Sequence, residues 1–215
     1  MPALKRHLLL KVTGSYNGSL TTDELIPSGE ASSYRSNPEK LSGYTLINKD
    51  PGYVGRCRTF RDETKKLSET GSCGKEIEAA VRGCAEKLGC EISEISLGTM
   101  IVSDMIGDGS SREQAASCQK VLGGTANLAN EYATKRYRSN LVNWGILPLE
   151  TEEDVHLPLD TWAYIDTREL FETGRGYLCT KDRKIPVTSG KCTEAERDVL
   201  NAGCLINYYK LKREV

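Results

Sequence analysis

The residues best placed to do chemistry lie in IGDGSSREQAAS, Ile106 to Ser117. Two hydroxyls, Ser110 and Ser111, and the guanidinium of Arg112 stand together at what reads as the mouth of a helix. One use for them is structural. A serine at a helix start accepts from an orphan backbone N–H, and Ser110 with Glu113, or Ser111 with Gln114, fits a capping box. The other use is chemical. A helix N-terminus offers free N–H groups and partial positive charge, which favour an anion or a serine alkoxide. Arg112 adds a planar fork suited to a carboxylate. The stretch is not a GxSxG nucleophile elbow, and it lacks the lysine of a phosphate-binding P-loop. The chain has only two histidines, His7 and His156, both distant in sequence. A Ser-His-Asp hydrolase therefore requires the fold to bring His156 to Ser110.

Two further segments carry candidates. TTDELIP, Thr21 to Pro27, places Asp23 in a polar stretch, and SSYRSN places Arg35 beside Tyr34 twelve residues on. Each has a plain reading, Asp23 as a turn or cap and Arg35 as a surface side chain. If that stretch folds over the Ser110 helix start, Arg35 and Arg112 form a clamp for two carboxylates of one small polyacid. RYRSN, Arg136 to Asn140, also reads as solvated surface.

The elements that must position these groups follow from pattern. HLLLKV, His7 to Val12, is a strand candidate. After it come about 30 residues without clear periodicity, a length that points to function or disorder. Asp50 to Cys73 is polar and is expected on the surface. Lys75 to Leu88 has Ile77, Val81, Cys84 and Leu88 at helical spacing, closed by Gly89. TMIVS, Thr99 to Ser103, reads as a strand feeding the glycine turn, and a helix is expected from Ser111 to about Leu122. Pattern alone makes the first half of TANLANEYATKRYRSNLVNWGILPL helical. Asn143 to Leu149 is expected as a short buried strand or turn, and Leu159 to Ile165 as a strand. Thr193 to Tyr209 reads as one helix, with Thr193 and Glu196 as a capping box. Alternating strands and helices indicate an α/β or mixed layered domain.

Bulk properties bound the function. The 215 residues suit one domain, with a C-terminal extension, and can bury a real core. Lys plus Arg is 29 and Asp plus Glu is 30, so no basic excess indicates general nucleic-acid binding. The eight cysteines show no CxxC pair, which argues against zinc or thiol-redox use. Three consecutive leucines near the N-terminus are too few for a signal sequence, and no apolar run approaches a membrane span. These features favour reduced thiols, mostly core hydrophobes, in a cytoplasmic protein.

Five motifs, taken together and in order, give a resemblance. They are TTDELIPSG (Thr21 to Gly29), YRSN (Tyr34 to Asn37), GDGSSREQAA (Gly107 to Ala116), RYRSNLVNWGILPL (Arg136 to Leu149) and ERDVLNAGCLINYY (Glu196 to Tyr209). The set resembles the swivel domain of the aconitase family, which is the C-terminal domain of one-chain enzymes and the small subunit of two-chain hydro-lyases. The resemblance implies one swivel domain over residues 1–215, with a segment around 56–98 that matches no motif. It implies an α/β fold with a mixed β core flanked by helices. It implies a hydro-lyase that reversibly dehydrates a hydroxy polycarboxylic acid resembling citrate or isocitrate. The cofactor would be a [4Fe-4S] cluster held by a larger partner subunit or domain, without which this chain is inert. In that alignment Ser110 is the base, and the backbone N–H of Ser111 holds its alkoxide. Arg112 stabilises the alkoxide and contacts substrate. Asp23 joins the network around the leaving hydroxyl, and Arg35 binds a carboxylate. None of the eight cysteines matches a cluster ligand. Gln114 stands where the family commonly has histidine, and TANLANEY replaces a usually more apolar strand. Alternatives are the small subunit of a 3-isopropylmalate or homoaconitate dehydratase, or a catalytically silent carboxylate-binding module.

Overall fold

The computed structural model describes residues 3–27, 29–190 and 192–213. HLLLKV opens a longer strand, β1 (His7–Leu20). Its consecutive leucines are buried on both faces, which explains the continuous apolar run. Leu8 and Leu10 point to one apolar cluster and Leu9 to another. The expected long loop is therefore mostly structured. β1 continues through register shifts between Val12 and Gly14 and between Tyr16 and Ser19. Short helices follow: α1 (Thr22–Leu25), a 3-10 turn at Glu30–Tyr34, α2 (Pro38–Leu41) and a 3-10 turn at Ser42–Tyr44. Thr21 and Glu24 form a reciprocal capping box on α1.

The polar region from Asp50 to Cys73 lies at the surface as expected, and most of it is a helix, α3 (Tyr53–Thr70). Its buried stripe, Tyr53, Cys57 and Phe60, is narrow enough to vanish in the composition. α4 (Lys75–Leu88) matches expectation, with Gly89 in the left-handed C-terminal position. The TMIVS strand is the middle of β2 (Ile95–Ile106), which leads through the glycine turn to α5 (Arg112–Val121).

TANLANEY, expected as helix, is strand β3 (Gly124–Tyr132). Its Ala126 and Leu128 face the barrel interior, while Asn127 lies on the other side beneath the next helix. A buried polar side chain in the outward row hides the strand pattern. Asn127 is satisfied there by Gln119 Oε1 at 3.2 Å and Tyr137 Oη at 3.5 Å. The chain continues as α6 (Lys135–Asn143), β4 (Leu147–Glu150), β5 (Trp162–Asp166), α7 (Thr167–Thr173), β6 (Arg175–Cys179) and β7 (Lys184–Thr188). The C-terminal helix expected from Thr193 is split into α8 (Glu194–Asn201) and α9 (Leu205–Arg213). Its capping box is present, and Val199 and Leu200 join the core, so α8 is part of the domain.

The strands close into a barrel in the order β1-β2-β3-β4-β7-β6-β5. β1 to β4 are parallel neighbours, and the remaining pairings are antiparallel. The interior is filled by aliphatic side chains including Leu10, Met100, Leu128, Leu149, Ile165 and Ile185. The mixed α/β class stands, with closure of the sheet as the added feature. No helix among the described residues is long and apolar enough to cross a membrane.

Candidate functional site

Parallel pairing of β1 with β2 carries both strands to the same barrel end, where Leu20 lies opposite Ile106. The turn after each strand is then sewn to the other. Gly107 N–H donates to the Leu20 carbonyl at 2.9 Å, and Thr22 N–H donates to the Asp108 carbonyl at 2.6 Å. Asp23 is thus brought beside the Gly107–Ser110 turn through its neighbour Thr22. Gly107 has φ +96°, and a Cβ there would lie 2.1 Å from the Tyr137 ring. Only glycine permits both the backbone and that approach. Gly109 at φ +119° is pressed against the Thr22 hydroxyl in the same way.

Ser111 is the N-cap residue of α5, yet no side-chain capping hydrogen bond forms. Neither expected capping box is present. Glu113 accepts from Trp144 Nε1 at 3.1 Å instead. The exposed Ser110 and half-buried Ser111 hydroxyls have no partner among the described residues. Arg112 is half-buried, and its Nε is buried without a hydrogen-bond partner. A buried guanidinium donor left unpaired is costly, and this one has no acceptor among the described residues.

These groups line an open pocket of about 360 Å³ between α5 and α6. Ser110 and Arg112 meet Lys135, Arg136, Ser139 and Asn140 there. Lys135 and Arg136 are exposed and form no ion pair among the described residues. The pocket gathers three cations, while the carboxylate of its one acid, Glu113, is engaged by Trp144. Such a surface carries positive charge complementary to a polyanion. Lys135, Arg136, Ser139 and Asn140, which read as solvated surface or carry no reading in the sequence, line this pocket. Their signal was the TKRYRSN run, whose phase on a helix becomes visible only once α6 packs on α5.

Arg35 is exposed and does not line this pocket. Its segment nevertheless folds against α5, since Pro38 at the start of α2 touches Cys118. Asp23 is also exposed and outside the lining. Neither histidine joins the site. His7 pairs with Ile95 at the far end of the barrel, and exposed His156 lies beside Arg183, whose guanidinium reaches its carbonyl at 3.2 Å. The hydrolase option therefore lacks its base. Among the described residues no three His, Cys, Asp or Glu side chains gather as a metal set. Cys57, Cys118 and Cys204 are buried, and burial pushes the Cys118 thiol up to about 12.

Residues 95–154, which run from β2 to just past β4 and include the whole pocket, match the family described as Aconitase C-terminal domain. Together with the fold, this defines the class: the chain is a swivel domain of the aconitase family. Among relatives, it is 27% identical over 165 residues to a putative mitochondrial aconitate hydratase of Aspergillus fumigatus, covering 76% of this chain and 19% of that protein. It is 31% identical over 146 residues to a probable mitochondrial aconitate hydratase of Caenorhabditis elegans, covering 66% and 16%. It is 32% identical over 149 residues to the mitochondrial homocitrate dehydratase of Saccharomyces cerevisiae, covering 68% and 16%. The chain thus spans less than a fifth of the length of these relatives. In fold it is similar to 3-isopropylmalate dehydratase (leuD) from Methanocaldococcus jannaschii, with TM-score 0.62, 20% identity, and 97% and 96% of the two chains covered.

Proposed function

We propose that this chain is the swivel part of a hydro-lyase acting on a hydroxy polycarboxylic acid of the citrate or isocitrate kind. The observation that carries the reading is the α5–α6 pocket. It combines an uncommitted Ser110 hydroxyl, the unpartnered Arg112 Nε and two unpaired cations, Lys135 and Arg136. Three cations suit an acid with several carboxylates better than one ending in an alkyl group, which would leave a cation unmatched.

In this reading the Ser110 alkoxide takes a proton from the substrate carbon next to a carboxylate and becomes the hydroxyl. A free serine is a poor base, and three features help it. The start of α5 presents its free N–H groups, with Ser111 N–H nearest. Arg112 places positive charge beside that alkoxide and stabilises it before the proton is taken. The proton itself is acidified by the substrate carboxylate. Lys135 and Arg136 hold distal carboxylates, and Asp23 and Arg35 complete the site when the chain closes on its partner. The partner supplies a [4Fe-4S] cluster, whose chemistry is Lewis-acid activation of the leaving hydroxyl.

The test is an anaerobic pull-down with this chain as bait, followed by hydration assays on cis-aconitate, homoaconitate and isopropylmaleate. A brown iron-sulfur partner and preferred turnover of cis-aconitate are expected. Ser110→Ala in that assembly should lower kcat by about 100-fold or more, with substrate affinity nearly unchanged. Preference for homoaconitate or isopropylmaleate would reassign the substrate. Undiminished turnover in Ser110→Ala would remove the base.

A further inference from the structure

The segment around 56–98, in which the sequence shows no motif, builds a second pocket. This cavity of about 560 Å³ lies between α3, the start of β2, the Gly123–Thr125 entry to β3, and Ala3–Lys5. Its volume is in the range of small-molecule sites, roughly 300–1,000 Å³. It touches β2 at Ile95–Leu97, whereas Ser110 lies just beyond Ile106. At about 1.5 Å per residue Lys120 lies roughly 12 Å from Arg112 along α5, so the two pockets sit at opposite ends of that helix.

The composition of the wall is unusual. Four cations line it, Lys5, Arg61, Lys65 and Lys120, with no aspartate or glutamate among the described lining residues. The remaining surface is largely aliphatic, from Leu4, Leu67, Val81, Ile92, Ile95 and Leu97. Ile92 is left 39% exposed. The existing ion pairs leave the cavity short of negative charge. Lys65 meets Glu69 only at 3.8 Å, with both side chains mostly exposed, and Arg61 reaches the exposed carboxylates of Glu39 at 3.3 Å and Asp62 at 3.5 Å. Such surface pairs hold a cation weakly. Lys120 has no carboxylate partner among the described residues. Its ammonium donates to the Gly145 carbonyl at 2.9 Å, which leaves two N–H groups without a partner there.

We propose that this is a second ligand site, taking a small amphipathic anion with one carboxylate or phosphate head and an apolar body. The head sits between Lys120 and the rim cations, and the body covers Leu67, Ile92 and Leu97. A purely ionic ligand would leave the aliphatic wall wet, and a neutral apolar one would leave Lys120 without a counter-charge. The inference does not depend on the hydro-lyase reading.

The test is calorimetric titration of the 215-residue chain with octanoate and with octyl phosphate, which separate the two head groups. Saturable one-to-one binding of at least one is expected, with octanol and inorganic phosphate each about tenfold weaker or more. Lys120→Met should weaken binding by a similar factor. Because that change also strips a partner from Gly145, Ser68→Trp serves as a second variant. Ser68 is an exposed lining residue of α3, and an indole there blocks the cavity without entering the core. Excess citrate should leave octanoate bound. Three results would each overturn the proposal: no saturation at millimolar ligand, binding untouched by both variants, or displacement by citrate, which would place the ligand in the Ser110 pocket. Equal affinity for inorganic phosphate and octyl phosphate would reduce the cavity to a basic patch and overturn it too.

Discussion

A serine and an arginine at a helix start have two physical readings, and each predicts different hydrogen bonds. Had Ser111 capped α5, its oxygen would be spent on a backbone N–H. No such bond forms, and Arg112 Nε is buried with nothing to donate to. The fork geometry then becomes testable. Arg112→Lys keeps the charge but loses the planar donor pair, so kcat/KM in the assembled enzyme should fall by about 10- to 100-fold. An unchanged value would mean that only charge matters there. Lys120 makes a separate prediction at this scale. Burial lowers its ammonium to about 8, against a slight opposing effect from Cys204. The unfolded chain holds that proton up to about pH 10.4. Between roughly pH 8 and 10.4 the unfolded state binds more protons, so this group makes stability rise with pH. Urea midpoints for the parent chain and Lys120→Met across that window measure it. The parent should gain on the order of 2 kcal/mol relative to the variant, and parallel curves would show that the buried amine does not titrate there.

At the scale of elements, the site is a seam between two strand ends and a helix pair. Gly107 sits at its centre. Gly107→Ala must place a methyl where the Tyr137 ring stands, at a backbone angle alanine avoids. The variant should lose about 2 kcal/mol or more in urea unfolding. A loss below about 0.5 kcal/mol would show that Tyr137 yields freely. This seam also separates what was legible from what was not. Local signals were readable: GDGSS before a helix, the stripe of α4, the Thr193–Glu196 box. Signals that depend on packing were not. β3 reads as helix because Asn127 is buried on its outward face, where Gln119 and Tyr137, distant partners, satisfy it. α3 reads only as polar surface, without a helix, because Tyr53, Cys57 and Phe60 alone are buried along its length. Of the site itself, Ser110 and Arg112 were visible as a motif. Lys135 and Arg136 needed the docking of α6 on α5 before they became neighbours of Ser110.

Over the whole molecule, barrel closure is uneven, and that sets where it should open. β1 pairs with β2 along nearly its full length, from His7↔Ile95 to Leu20↔Ile106. The β6–β7 hairpin is joined to the rest by one register pair on each side, Tyr164↔Cys179 and Glu150↔Thr188. Side chains reinforce that join. Thr151 Oγ1 donates to the Pro186 carbonyl at 2.7 Å, and Arg183 reaches the carbonyls of Asp154 and His156 at 2.8 and 3.2 Å. The chemistry-bearing turns hang on the long β1–β2 ladder, away from this thin seam. The base proposed at Ser110 requires that arrangement, since its position relative to the helix must survive the motions of the rest of the domain. Amide hydrogen exchange should therefore divide the barrel. Amides of β1, β2 and β3 should exchange only through global opening, while those of β6 and β7 exchange through a smaller, lower-energy opening. Arg183→Ala should speed exchange in β6 and β7 and leave β2 unchanged. Equal protection of the hairpin and the β1–β2 ladder would mean that the side-chain ties close the barrel as firmly as the backbone does.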